Sequence, residues 1–294
     1  MRWFFAAVVS AAFFAANAPA ASLPPGKVFV NRLKFDSLVA KAQAGRWADL
    51  PIGARTARIG LALAGTPYVN YTLELHDRME APSVNMDGMD CWTFFEIALG
   101  TARALKKSAS PRPEDLLAMV ELERYRGGRC DGTFASRLHH LEDWAHDNSR
   151  RGLIQDITPQ LPGARRLQRE MAYMGKNWKS FRQLRANPSL VPKFQKIESA
   201  ISQRGIHYIP KSRVAAIEKH LRDGDVVSIV TTWPGTYTSH VGLAVRDKRG
   251  VLRFLHASRN HRKVVLDERL SDYLAGNSKH MGIFVSRPLE APAL

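Results

Sequence analysis

An α+β fold, with a helical front half and an antiparallel β-meander behind it, is what this sequence of 294 residues predicts. Three observations carry the expectation. Apolar residues recur at helical spacing through the first half, as in Phe94, Phe95, Ala98, Leu99, Ala102 and Leu105. From Leu221 the pattern turns to β-branched and period-two runs such as Val226-Val227-Ser228-Ile229-Val230. Short polar turns, Pro234-Gly235 and Asp247-Lys248-Arg249-Gly250, separate those runs, and strands so joined pair as antiparallel hairpins. Hydrophobic content of 45% and charged content of 24% are ordinary for a globular chain.

The first twenty residues stand apart from that fold. Arg2 precedes the apolar run Trp3 to Ala16, and Ala18-Pro19-Ala20 is a small-x-small site, so 1–20 reads as a secretory signal peptide cleaved after Ala20. No later run approaches the roughly eighteen apolar residues that span a bilayer, so no stable membrane insertion is expected once the signal is removed. Ser22-Leu23-Pro24-Pro25-Gly26 suits neither helix nor strand, which makes 21–32 a tether. A single domain over 33–290 should follow.

Within it, 33–63 reads as helical, with Phe35, Leu38, Val39 and Ala42 on one face. Gly65-Thr66-Pro67-Tyr68 ends that helix and begins an extended approach to the turn at Asp87-Gly88. Helices are predicted at 90–106, 113–125 and 134–149, the second entered through Ser110-Pro111-Arg112-Pro113-Glu114. The stretch 150–213, rich in proline and basic residues, reads as an elaboration of the core with short helices near 164–174 and 191–204. Five strands complete the chain: Val226–Val230, Ser239–Val245, Val251–Ala257, Lys263–Leu266 and Met281–Val285.

Charge narrows the partners. The formal net charge is +16, and between Arg150 and Arg213 fourteen Lys or Arg stand against three acids. A surface so basic attracts polyanions, among them nucleic acid, anionic lipid and carboxylate-bearing cell-wall polymer. An exported chain rarely meets nucleic acid, which removes that class. A merely solvated basic face is the competing reading.

The chemistry begins at Asp90-Cys91. Asp90 is a good N-cap, which places Cys91 at the first helical position, where free backbone N–H groups and the helix dipole favour a thiolate and could hold an oxyanion. A small core cysteine opening a helix would look the same, so a histidine partner decides. His240 opens one predicted strand and His256 closes the next, so both rings can share one sheet face opposite the Cys91 helix. That supplies a nucleophile, a base and an orienter. Cys91 and Cys130 are the only cysteines, too few for a disulfide framework in an oxidising compartment, and Cys91 is expected as a free thiol.

These residues resemble a known superfamily. Asp90-Cys91, Gly224-Asp225 before a strand, Ser239-His240-Val241-Gly242 and His256-Ala257-Ser258 are similar to the NlpC-type papain-like cysteine peptidases that cut bacterial cell-wall peptides. The resemblance implies a papain-like fold and a triad of Cys91, His240 and His256. It also implies that Tyr68, in Gly65-Thr66-Pro67-Tyr68, contacts oxyanion or substrate, and that Ser239 lies at the substrate. A narrower resemblance, over about 50–288, is to the N-acetylmuramoyl-L-alanine amidase-like branch. It rests on Tyr125-Arg126, Ser136-Arg137-Leu138-His139, Glu142-Asp143-Trp144, Asp147-Asn148, Asp156-Ile157-Thr158, Asn187-Pro188, Tyr208-Ile209-Pro210, and Gly282-Ile283 to Arg287-Pro288.

That branch implies cleavage of the amide joining the muramic-acid lactyl carbonyl to L-alanine in peptidoglycan or a muropeptide, with no cofactor, in the bacterial periplasm. It suggests that Arg137 and His139 meet substrate carboxylates. Trp92 and Thr93 replace the Ser-Gly that follows the cysteine in the superfamily's endopeptidases, where those residues help hold a free peptide amine. An amidase substrate has none at L-alanine, because the sugar caps it. Trp92 is therefore expected beside substrate. His139, Asp143 and His146, at i, i+4 and i+7, would share one helical face, but their spacing matches no zinc motif and a cleft-lining face is the better reading. A γ-D-glutamyl-diamino acid endopeptidase on the same fold and a catalytically silent cell-wall binder are the rivals.

Overall fold

The computed structural model describes residues 23–291 and is a mixed α+β structure with an antiparallel sheet at its C-terminal side. The expected signal peptide lies outside the described residues. Among the described residues no helix is long and apolar enough to cross a membrane.

The longer helices are α1 (Arg32–Ala44), α2 (Ile52–Ala62), α3 (Cys91–Lys107), α4 (Pro113–Arg124), α5 (Leu141–Arg150), α6 (Val191–Arg204) and α7 (Leu270–Ala275). The sheet has eight strands: β1 (Ile154–Asp156), β2 (Arg165–Leu167), β3 (Ile206–Pro210), β4 (Val226–Thr231), β5 (Thr238–Arg246), β6 (Leu252–Ser258), β7 (Lys263–Arg269) and β8 (His280–Pro288). Their spatial order is β2-β3-β8-β4-β5-β6-β7, with β1 also paired to β8. All these pairings are antiparallel.

Local chemistry explains most elements. Asp90 caps α3 by accepting the Thr93 N–H at 2.8 Å, and Thr93 Oγ1 returns the favour to the Asp90 N–H at 3.0 Å, a reciprocal box that fixes Cys91 as the first helical residue. Pro113 at the first position of α4, with Glu114 and Asp115 in the opening turn, starts that helix. Two fully buried ion pairs, Arg124 to Glu96 and Arg103 to Glu123, lock α4 against α3. Burying four charges is tolerable only because each has an opposite partner, and losing one member would strand the other.

Several expectations are corrected. The single helix over 33–63 is two helices, because Arg46 adopts a left-handed conformation and Pro51 begins a new start. The tether is partly folded: Pro25–Val28 makes one helical turn, with Pro25 at its first position, and Phe29 is buried with its ring 5.6 Å from that of Phe35. The helix expected from 134 begins only at Leu141, since Arg137 bridges Tyr125 and the Leu138 N–H donates to the Arg124 carbonyl, holding the chain extended. Residues 165–167 form a strand where helix was expected, paired with β3 some forty positions later. The last strand does not extend the meander; β8 lies between β3 and β4, in the middle of the sheet.

The sheet has two apolar faces. Val241, Leu243, Leu255 and Ala257 point to the side covered by α2 and α3, in one core with Phe94, Phe95 and Leu99. Ala244, Phe254, Val227 and Ile229 point to the other side, in a second core with Leu270 and Leu274 of α7. This parity decides where the histidines go.

Candidate active site

His240 has the parity of Ala244, and His256 that of Phe254, so both rings lie on the face covered by α7. They share one face, as expected, but it is the reverse of the face on which α3 packs. Cys91 approaches β5 where the strands part: the β5–β6 ladder runs only from Leu243–Leu255 to Arg246–Leu252, although β5 begins at Thr238 and β6 continues to Ser258. At that opening the N–H of Val241, the residue after His240, faces the Cys91 sulfur, as do the N–H groups of Cys91 and Trp92.

The rings form a chain. His240 Nε2 stands 2.6 Å from His256 Nδ1, with the ring planes crossed at 87°. His256 Nε2 stands 3.0 Å from Asp267 Oδ2 on β7. His261, half-exposed, reaches the same carboxylate at 3.4 Å. Phe254 stacks on His256 at 4.6 Å between centroids, and Tyr273 of α7 closes the cluster 5.1 Å from His256 and 6.4 Å from His240.

Protonation follows from the hydrogen bonds. Bonding to His256 holds the Asp267 carboxyl below the usual carboxylate range, so it is an acceptor and His256 Nε2 carries the proton. A neutral His256 then accepts at Nδ1, which obliges His240 Nε2 to donate. The remaining nitrogen of His240, Nδ1, is left with a free lone pair. Burial, with the neighbouring His256 and His280, keeps His240 well below the ordinary histidine value, so the neutral form prevails.

The thiol is not pre-ionised. Dense packing around the sulfur, joined by the Asp90 carboxylate, pushes Cys91 up to about 12; the three backbone N–H groups act in the opposite sense and are outweighed. The expected helix N-terminal effect is present, but burial and a cap that carries negative charge overcome it. Cys91 and Cys130 are both free thiols.

Other expected residues fall into two groups. Tyr68 reaches the site: it pairs with Met89, two residues before Cys91, and burial together with the nearby Cys91 and Asp90 raises its phenol to about 12, so it remains a hydrogen-bond donor. Trp92 is partly exposed beside Cys91, 6.0 Å from the Phe95 ring, and Ser239 is partly exposed beside His240. Arg137 and His139 are engaged elsewhere. Arg137 lies under the Phe134 ring and 3.4 Å from Glu80, and His139 bonds the Phe134 carbonyl at 2.6 Å between the Phe134 and Phe194 rings. With α5 starting after it, His139 shares no helical face with Asp143 and His146. Among the described residues no three His, Cys, Asp or Glu side chains converge to hold a metal ion.

Asp267 was not anticipated from sequence, because the strand predicted from Lys263 stopped at Leu266. The available signal was parity: Val265 pairs His256, and the next residue on that face is Asp267.

Comparison with known proteins gives a consistent result. The model of a family described as N-acetylmuramoyl-L-alanine amidase-like (AmiA-like) matches residues 58–283. Among solved structures, an N-acetylmuramoyl-L-alanine amidase from Bacteroides uniformis is 34% identical, with a TM-score of 0.74 over 81% of this chain and 99% of that one. A Bacteroides fragilis protein, provisionally named a xylanase, is also 34% identical, with a TM-score of 0.71 over 78% of this chain and 98% of that one. Protein LPG0564 of Legionella pneumophila, at 22% identity, shares the fold, with a TM-score of 0.64 over 89% of this chain and 97% of that one. No curated protein matches.

Proposed function

We propose that this chain, which belongs to the N-acetylmuramoyl-L-alanine amidase-like family, is a cysteine amidase that hydrolyses the bond between the N-acetylmuramic acid lactyl group and L-alanine. The observation that carries the proposal is the series Asp267, His256, His240, which leaves an unprotonated Nδ1 on His240 at the strand opening that Cys91 faces. A helix-initial cysteine seated on an antiparallel sheet, with its base on one strand and its orienter on the next, is the arrangement of a papain-like, NlpC-type enzyme. Cys91, His240 and His256 form the triad.

The neutral thiol and neutral imidazole set the order of events. Cys91 Sγ attacks the lactyl carbonyl carbon while its proton passes to His240 Nδ1. The new positive charge on His240 is spread toward Asp267 through His256, as a buried carboxylate stabilises an imidazolium in serine hydrolases. The tetrahedral oxyanion is met by the Cys91 N–H and the Tyr68 hydroxyl. His240 then gives its proton to the departing L-alanine nitrogen, the C–N bond breaks, and a thioester remains. Water attacks the thioester with His240 as base, releasing the muramoyl acid and restoring the thiol.

The substrate is a cell-wall component, so the proposal places the protein in the periplasm with 1–20 removed on export. Sequencing of the exported form should begin after Ala20.

Mass spectrometry of a defined muropeptide digested by the mature protein tests the activity. The expected products are a sugar with a free lactyl carboxylate and a peptide beginning with L-alanine, both absent with Cys91→Ala. A sugar that keeps L-alanine and D-glutamate would replace the proposal with a γ-D-glutamyl-diamino acid endopeptidase. Intact substrate would replace it with a cell-wall binder.

A further inference from the structure

Helices α5 and α6 turn charged faces toward one another across a cavity of about 650 Å³. From α5 come Asp143, His146, Asp147 and Arg150, at spacings i, i+3, i+4 and i+7; from α6 come Lys193, Lys196, Ala200 and Arg204. Arg126 also lines it. Helices in a compact domain ordinarily pack apolar stripes together, and a cleft lined by one sign of charge concentrates the field of that charge.

The acids in the cleft are already consumed. Buried Asp143 accepts from Arg204 at Oδ1 at 3.0 Å and from Arg126 at Oδ2 at 2.6 Å, and Asp147 accepts from Arg151 at 2.7 Å and from the Gly127 N–H. Asp143 thus holds two guanidiniums in place on the wall of the cleft. Among the described residues Arg150, Lys193 and Lys196 make no ion pair within it. The unused hydrogen-bonding capacity is almost all donor. None of the residues of the catalytic cluster lines the cleft, and on an adjacent face of α5 Glu142 accepts the hydroxyl of Thr238 at the start of β5 at 2.7 Å.

We propose that this cleft is a second binding site, which takes carboxylates of the peptide stems of polymeric peptidoglycan and holds the enzyme on the wall apart from the bond it cuts. The choice of polymer rests on the function proposed above. Phosphate or an anionic lipid headgroup offers acceptors of the same kind, and the test separates them.

Co-sedimentation with insoluble peptidoglycan is measured for the mature Cys91→Ala protein and for the same protein carrying Arg150→Glu, Lys193→Glu and Lys196→Glu. A control carries Lys27→Glu, Lys106→Glu and Lys248→Glu, three exposed positions away from the cleft. Circular dichroism verifies that all three are folded. The cleft variant should lose affinity at least about fivefold and much of its salt dependence, while the control keeps both. Peptidoglycan whose carboxylates have been amidated should bind all three equally weakly. Equal loss in the cleft and control variants would overturn the proposal in favour of diffuse charge. Undiminished binding to amidated wall, competition by millimolar inorganic phosphate, or tighter cleft-dependent binding to phosphatidylglycerol vesicles would overturn it in favour of another ligand. Because binding is read without turnover, these outcomes are distinct from failure of the amidase reading.

Discussion

Gly242 lies beside His256, and the His256 Cβ and the Phe254 ring that stacks on His256 occupy the space a side chain at 242 would need. A Cβ on Gly242 would sit 2.7 Å from His256 Cβ and 2.6 Å from the Leu255 carbonyl. The relay between the histidines thus depends on an absent methyl group. Gly242→Ala should lower stability by about 1–3 kcal/mol, as overpacking in a core does, and lower kcat by more than that loss of folded protein explains. Urea unfolding alongside single-turnover kinetics separates the two.

Asp267 is expected to position, through His256, the base that acts. Asp267→Asn can accept or donate, so it no longer fixes the proton on His256 Nε2, and the unprotonated Nδ1 of His240 is no longer assured. The expected fall in kcat is on the order of 10²-fold, smaller than the loss seen when a carboxylate contacting the base itself is replaced. KM should stay near its original value; a change confined to KM would exclude the positioning role.

Reactivity of the thiol reports its ionisation. With Cys91 held at about 12, alkylation by iodoacetamide should rise close to tenfold per pH unit from 7 to 10, because only the thiolate reacts. A plateau below pH 8 would indicate an ion pair already formed with His240. Asp90→Asn, which keeps a capping oxygen and removes the charge, should lower the Cys91 pKa and speed alkylation at a given pH.

Activity should survive acid further than an ordinary histidine allows. His240 must be neutral to accept the proton, and its folded value lies well below 6.5. The acidic limb of kcat/KM is therefore expected below pH 6.5, and in Asp267→Asn it should move lower still, since a carboxylate that favours the charged form has gone.

Stability should decline over much the same range, for a related reason. His140, buried on the segment leading into α5, is lowered to about 4 from 6.5. The unfolded chain binds the extra proton first, so this stabilisation is complete above pH 6.5 and is lost as pH falls toward 4. At pH 5 the loss from His140 alone is about 2 kcal/mol. A thermal melt series should show Tm falling below pH 6.5, and His140→Gln should flatten that fall.

What the sequence disclosed was local or periodic. The cap at Asp90 is written within four residues, so the start of α3 and the place of Cys91 were readable. His240 and His256 could be put at strand ends because their strands are β-branched and bounded by turns. The face they occupy depends on which side of the sheet each core lies, and nothing in one strand records that. Asp267 was missed because the predicted strand stopped at Leu266, just before the β6–β7 register shift between Arg253 and Leu255, and a shift of that kind is decided by packing. The influences on the thiol divide the same way: helix position, which favours a thiolate, is local, whereas the burial that raises Cys91 is contributed by the whole fold.

The central place of β8 bears on how the chain assembles. Strands β4 to β7 are joined by hairpins and can zip in sequence, but β1 and β3 reach that unit only through β8, which is synthesised after all of them. Until residues 280–288 dock, the sheet exists as three unjoined pieces, β1, β2–β3 and β4–β7, with a raw edge on β4, and long-range closures of this kind are slow. A nascent or translocating chain that lacks this strand therefore stays unfinished and open to proteolysis, however complete the meander that carries His240, His256 and Asp267.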